Sequence, residues 1–385
     1  MDQLQVIYLD NNATTPCDPQ VLEKMLPFFN QLFANPANGY HRLGRLAAKA
    51  VENAREQVAS LIGANPEEIF FTGGASESNN LAISGLARMA KKGERTRIVT
   101  SKIEHKAVLL PCEKLASEGF EVIFLPVDSK GRVSISEAKA AINDNTLMVS
   151  IQTANNELGV IQPISEIAEL SHQYGAFFHT DAAQAVGKIP INLQDTDIDL
   201  LSISAHKLYG PKGVGAIFIR GGNRRIPIEP LILGGGQEKG VRSGTSNVPG
   251  IVGFGEACQI VERKMPEESK RIGELRDLFE QSLKNGIDGL EINGSNVSRL
   301  PNTSSLTFPN VEAETLLLNL PDVMLGTGSA CHSGAIEPSH VLQAIGLSRQ
   351  AAYSTIRASF GRFSTKEEVD LSCELIKEAW KDLTK

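Results

Sequence analysis

The stretch "DLLSISAHKLYGPKGVGAIFIR", residues 199–220, decides the fold. Leu201, Ser202, Ile203 and Ser204 alternate apolar and polar side chains, and Gly215 through Ile219 form a second short apolar run, so each flank has the character of a strand. Lys207 therefore falls in the turn between two strands. Upstream the same texture recurs in "EIFFT", "RIVTS", "EVIFLPV", "LMVSIQ" and "AFFHTD", separated by amphipathic stretches such as "SNNLAISGLARMAKK", "AVLLPCEKLASEG", "SISEAKAAIN" and "ISEIAELSHQYG". Short apolar runs alternating with helical patterns are the signature of an α/β domain built on a mostly parallel sheet.

After about Gly255 a long charged segment, "EACQIVERKMPEESKRIGELRDLFEQSLKNG", predicts one extended helix leading to a second, smaller lobe. That lobe is expected to hold the strand "TSSLTFPN", a glycine-rich loop with Cys331, a helix starting near Pro338, and two helices in all before the C-terminus. The expected division is a large domain over residues 16–255 and a small α+β domain made of residues 1–15 and 256–385.

Composition narrows the function. An apolar fraction of 41% with 22% charged residues is that of a globular protein, and a formal net charge of -7 with scattered Lys and Arg argues against a nucleic-acid partner. The longest apolar runs fall short of a membrane span, and the first five residues lack the basic and apolar regions of a signal peptide; a cytoplasmic protein is expected. The five cysteines, Cys17, Cys112, Cys258, Cys331 and Cys373, are odd in number and never paired as C-x-x-C, so reduced thiols are expected and a metal site is not.

Three places carry chemistry. In "EIFFTGGASESNNLAI" a strand, a glycine turn and a helix start follow one another, so the amides of Gly74, Ala75 and Ser76 form either an anion site or an ordinary serine-capped terminus. Asp181 follows an apolar strand, where it reads as a ligand-facing carboxylate or as a helix cap, and His105 after "RIVTS" leaves the same two readings open. Together with the Ser-x-His-Lys turn, these are the parts needed to hold pyridoxal phosphate.

The segments "YLDNNATT", "GGASESNN", "EHKAV", "NNELG", "HTDAAQAVGK", "SISAHKLYGPKG", "RSGT" and "GSACHSG" resemble a cysteine desulfurase of the NifS/IscS type, among the class-V aminotransferase-like enzymes, from about Tyr8 to Phe363. The resemblance implies a fold-type I architecture with a mixed, mostly parallel seven-stranded sheet, and pyridoxal 5'-phosphate as cofactor. It implies that Lys207 links covalently to the cofactor, Asp181 pairs with its ring nitrogen, His105 stacks on the ring and moves protons, and Gln184 meets the phenolic oxygen. Ala75, Ser76, Ser204 and His206 would bind the phosphate, and Thr245 would reach the phosphate in the other subunit of a homodimer. Asn156 and Arg357 would orient L-cysteine, Arg357 by gripping its carboxylate.

Cys331 would then take the substrate sulfur as a persulfide, leaving L-alanine, and pass it to an iron–sulfur scaffold or another acceptor. His332 stands where most members of the resembled family carry a small or hydroxyl residue, which bears on the Cys331 thiolate. A selenocysteine lyase or sulfinate desulfinase would share every cofactor residue, and so would an aminotransferase relative. A non-catalytic sulfur-relay subunit would have no use for the Lys207, Asp181 and His105 set.

Overall fold

In the computed structural model, which describes residues 6–90, 95–327 and 337–385, the seven apolar runs form a single sheet. Its strands are β1 (Ile69–Thr72), β2 (Arg97–Ser101), β3 (Glu121–Leu125), β4 (Thr146–Ser150), β5 (Phe177–Asp181), β6 (Leu200–Ser204) and β7 (Gly215–Ile219). They lie side by side in the order β1-β7-β6-β5-β4-β2-β3. All pairs from β3 to β6 are parallel, whereas β7 runs antiparallel to both β6 and β1. The reversal follows from the sequence: only residues 205–214 join β6 to β7, too few for the crossover that a parallel pair requires. Every residue of β4, β6 and β7 is buried, as helices on both faces demand, and this is why the strands read as apolar runs.

The helix expected over "SNNLAISGLARMAKK" starts earlier, at Ala75, and its middle, Leu81–Gly85, is wound as a π-helix. A Cβ on Gly85 would lie 2.4 Å from Ile228 Cγ2 and 2.7 Å from the Glu229 carbonyl oxygen, so the wider turn and the bare glycine make room for a crossing segment.

The long charged segment is a helix from Val248 to Gly286, beginning ahead of the expected start and continuing through Pro266. It is held on both sides of that proline. Its apolar residues up to Val261 pack into the core beneath the large sheet, and those from Ile272 onward pack into a second core. This second core surrounds a four-stranded sheet of β8 (Glu291–Asn293), β9 (Thr303–Thr307), β10 (Gly326–Thr327) and β11 (Thr355–Ser359), ordered β10-β11-β9-β8 and antiparallel throughout. Ile7 and Leu9 join it from the other end of the sequence.

Three helices, not two, follow residue 337: His340–Ala344, Arg349–Tyr353 and Lys366–Leu383. Gly346 at φ +91 ends the first of them, and Ser348 caps the second by accepting from the Ala351 amide. We propose that residues 16–255 and residues 1–15 with 256–385 act as two units, the helix Val248–Gly286 crossing from one core to the other between Val261 and Ile272.

One contact ties the sheet to the cavity described below. A Cβ at Gly215, on β7, would come within 2.4 Å of the Ile203 carbonyl oxygen and 2.7 Å of Gly74 Cα. Gly215→Ala is therefore expected to destabilise the protein by about 1–3 kcal/mol, the usual cost of overpacking. It should also shift the Gly73–Gly74 turn. Chemical denaturation of the variant beside the wild type checks the first effect, and phosphate or pyridoxal phosphate affinity the second.

Candidate active site

The carboxyl ends of β2, β4, β5 and β6 open on one cavity of about 680 Å³, which the N-terminal segment and Arg357 of β11 close from the other side. Ligands of open α/β sheets bind at this end of the strands. Ala75, Ser76, His105, Asn156, Asp181, Gln184, Ser204, His206, Lys207 and Arg357 all line it. Thr245 does not; it is exposed on the surface, outside the cavity. Cys331 and His332 lie outside the described residues.

One wall is the glycine turn after β1. Gly74 sits at φ +145, a region essentially confined to glycine, and the helix begins directly behind it at Ala75. The first-turn amides of Ala75, Ser76 and Glu77 have no carbonyl of their own helix to bond. The Ser204 hydroxyl lies 3.9 Å from where a Gly74 Cβ would be, and both residues line the cavity. His206 approaches from the β6–β7 connection, its Nδ1 3.1 Å from Thr14 Oγ1. Burial, then the nearby Lys207, pushes its pKa down to about 4, so the imidazole is neutral at physiological pH.

Asp181, at the end of β5, is held by two donors: Asn79 Nδ2 at 2.6 Å and the Ala183 amide at 2.9 Å. Both readings of His105 hold at once. Its Nδ1 accepts from the Ala107 amide at 3.1 Å, capping the helix Lys106–Ser117, which leaves Nε2 and the ring face to the cavity. The ring is open to the cavity yet surrounded by protein, and that desolvation lowers its pKa against the pull of Asp181.

The ammonium of Lys207 donates to the backbone carbonyls of Asn12 and Ala13, the latter at 2.7 Å. Burial, reinforced by Arg357, brings its pKa down to about 8. Arg357 is itself fixed by Asp10 Oδ1 at 2.6 Å and the Asn156 carbonyl at 3.1 Å, while its buried Nε lacks a partner among the described residues. Gln184 donates from Nε2 to the Asn12 carbonyl at 3.0 Å.

Sequence reasoning assigned no role to Asp10, Asn12, Asn79, Glu104, Gln152 or Lys188. Glu104 is wholly buried beneath His105, accepting from the Ser101 hydroxyl at 2.7 Å and the Gln152 amide at 3.0 Å, and burial raises its pKa to about 8. The available signal was polar residues inside or beside apolar strands, which a core tolerates only when they are hydrogen-bonded.

Residues 7–371 match the family described as Aminotransferase class-V. A protein of Arthroderma benhamiae, described as a mitochondrial cysteine desulfurase, is 50% identical over 373 residues, covering 97% of this chain and 74% of that one. The chain belongs to the cysteine desulfurase family. Among solved structures, one described as a NifS-like protein agrees with a TM-score of 0.91 at 41% identity, over 98% of this chain and 100% of its own. Another, described as SspA in complex with cysteine, has a TM-score of 0.82 at 39% identity, over 93% and 99%. The fold is that of the fold-type I pyridoxal phosphate enzymes, and the cofactor of this cysteine desulfurase is pyridoxal phosphate.

The cavity fits that group. Free helix amides and hydroxyls suit a phosphate, a buried carboxylate suits a protonated ring nitrogen, and an amine of lowered pKa suits an aldehyde. Asn79→Leu would leave Asp181 Oδ2 without its 2.6 Å donor. A hydrogen bond to a charged group contributes about 1.5–3 kcal/mol, so pyridoxal phosphate is expected to bind roughly tenfold or more weakly, as equilibrium dialysis would show.

Proposed function

We infer that this cysteine desulfurase converts L-cysteine to L-alanine, with its sulfur transferred to Cys331 as a persulfide. The observation that carries the reading is the convergence of Lys207, Asp181 and His105 with the Ala75 helix start around one cavity, in a chain 50% identical to a cysteine desulfurase. Pyridoxal phosphate, when bound, supplies an electron sink for charge developing on the substrate Cα.

Asp181 keeps that sink effective by holding a proton on the ring nitrogen. The substrate carboxylate goes to Arg357, whose buried Nε–H has no partner among the described residues, with Asn156 beside it. The Lys207 amine takes the Cα proton, and a pKa of about 8 leaves an appreciable neutral fraction at physiological pH. His105 offers Nε2 for proton movement at the ring face. The Cys331 thiolate attacks the substrate sulfur: an S–S bond forms, the substrate Cβ–S bond breaks with its electron pair going to carbon, and a proton completes the alanine methyl group.

Three of the four other thiols are buried, and the half-buried Cys17 does not line the cavity, which supports Cys331. Burial drives the pKa of Cys112 up to about 12 and that of Cys258 well above the usual thiol value, and Cys373 is buried as well. Inert thiols of this kind do not serve as nucleophiles.

A homodimer completes the reading. Leu26, Phe29, Phe33 and Tyr40 expose 55%, 60%, 66% and 100% of their surface within one short stretch of sequence, and clustered exposed apolar side chains of this kind suit a partner surface. Thr245 is exposed as well, as it must be to meet a partner's cofactor. An iron–sulfur scaffold or another sulfur acceptor is the proposed recipient. None of the helices among the described residues is long and apolar enough to cross a membrane. The free thiols suit a reducing compartment such as the cytosol.

Two measurements test this function. Cys331→Ala should keep cofactor binding and lose alanine formation from L-cysteine by roughly a thousandfold or more, since the nucleophile itself is gone. Cysteine sulfinate, which needs no thiolate attack, should lose far less; wild-type desulfuration of L-cysteine by the variant would overturn the assignment. Because the pKa of Lys207 is lowered to about 8, its reactive neutral form accumulates as pH rises toward that value. The rate at which cofactor-free protein captures pyridoxal phosphate should therefore climb to about pH 8 and level off, instead of rising toward the ordinary lysine value, as visible absorption will record.

A further inference from the structure

Lys188 is a half-buried lysine, its ammonium enclosed, that none of the steps above uses. It follows β5 in "DAAQAVGK", and its backbone carbonyl is pinned by the Ser269 hydroxyl at 2.7 Å, from the long helix Val248–Gly286. Its ammonium donates to two amide oxygens, Gln184 Oε1 at 2.6 Å and Asn12 Oδ1 at 3.0 Å.

An ammonium has three donors and accepts nothing. Whatever faces it must be an oxygen, so the Gln184 amide has one permitted orientation: oxygen toward Lys188, nitrogen away. That nitrogen gives one N–H to the Asn12 carbonyl, and its second N–H remains for a group in the cavity that Gln184 lines. Asn12 is oriented by the same logic. Its Oδ1 accepts from Lys188 and from Asn302 Nδ2 at 2.9 Å, and its own Nδ2 donates to Thr303 Oγ1 at 2.8 Å and the Asn156 carbonyl at 3.0 Å. With Lys188 absent, the Asn12 carbonyl alone holds the Gln184 amide, whose oxygen is then freer to turn toward the cavity and repel an oxyanion.

We propose that Lys188 is a positioning residue that locks Gln184 as a hydrogen-bond donor, so that the cavity presents an N–H, backed by a positive charge, to an anionic oxygen of the bound ring. The inference rests on the reading that the cavity takes pyridoxal phosphate, whose phenolate is such an oxygen. Lys188 itself does not line the cavity; it acts through Gln184. Burial, then repulsion from Lys207 and Arg357, lowers its pKa well below the ordinary value, and an anionic oxygen beyond Gln184 acts in the opposite sense, favouring the ammonium. The other charged or titratable groups facing the cavity, Asp181, Glu77, His105, His206, Lys207, Lys212 and Arg357, are the same in every variant considered below.

The test compares pH titrations of the visible band of bound cofactor in the wild type, Lys188→Met and Lys188→Arg, together with cofactor affinity by equilibrium dialysis. Removing the cation and freeing Gln184 disfavours the deprotonated, more anionic form. The midpoint should rise by about one pH unit in Lys188→Met, with roughly tenfold weaker binding, and return toward the wild-type value in Lys188→Arg. Lys188→Gln is read in the same way should Lys188→Met fail to fold. In a double variant with Gln184→Met, the Lys188 substitution should add little to the shift that Gln184→Met causes alone. An unchanged midpoint in a folded Lys188 variant, or fully additive shifts, would overturn the proposal. A wild type that binds no pyridoxal phosphate would instead overturn the function on which it rests.

Discussion

Asn12 is the point on which the two halves of the structure turn. Its side chain binds Asn302, Thr303 and Lys188, and its carbonyl receives both Lys207 and Gln184. The flanking residues extend the same seam. Asn11 Nδ2 donates to the Ser359 carbonyl at 2.8 Å, Thr15 Oγ1 to the His206 carbonyl at 3.0 Å, and Asp10 holds Arg357. A short polar segment thus lies between two apolar cores with its groups bonded to both. Buried amides and hydroxyls are tolerated only when satisfied, so the seam fixes the register of one core on the other. The cavity is the space left along it.

The same arrangement sets the electrostatics. Arg357 lies close enough to depress both Lys207 and Lys188, and the partners of the two lysines are carbonyl and amide oxygens rather than carboxylates. Dipoles hold an amine in place without fixing its proton, whereas a carboxylate would stabilise the ammonium and raise its pKa. Asp181 is treated in the opposite way, with two donors aimed at its oxygens. One end of the cavity is thus prepared for a proton-shared cation and the other for anions, before any ligand enters.

The strands were legible because burial on both faces leaves unbroken apolar runs, and the cavity residues because Asp181, Ser204 and His105 stand where those runs stop. The glycine turn marked the helix start near Ala75, but Ala75, Ser76 and Glu77 face the cavity, so the apolar pattern picks the helix up only later, at Leu81. Asn79 and Asn12 could not be read locally. Their partners Asp181 and Gln184 lie 102 and 172 positions away, and no periodicity records such a pairing. Lys188 carries no local signal either; its carbonyl is bonded by Ser269 of the helix Val248–Gly286, far along the chain. The extra break between His340–Ala344 and Arg349–Tyr353 rests on one left-handed glycine, which sequence alone does not distinguish from a tolerated one.

The second core is sewn from both ends of the sequence, with Ile7 and Leu9 packed among residues from Ile272 to Ile376. During synthesis, Asp10 emerges 347 positions before the Arg357 it holds. Until then the large sheet can form, glycine turn and Lys207 included, yet Ile7 and Leu9 have no core to enter and the cavity lacks one wall. Domains generally fold as units while the chain is made, and contacts this distant in sequence close last. A nascent chain can therefore assemble the cradle for a phosphate well before it can grip a substrate carboxylate, so chemistry is withheld until translation has passed β11.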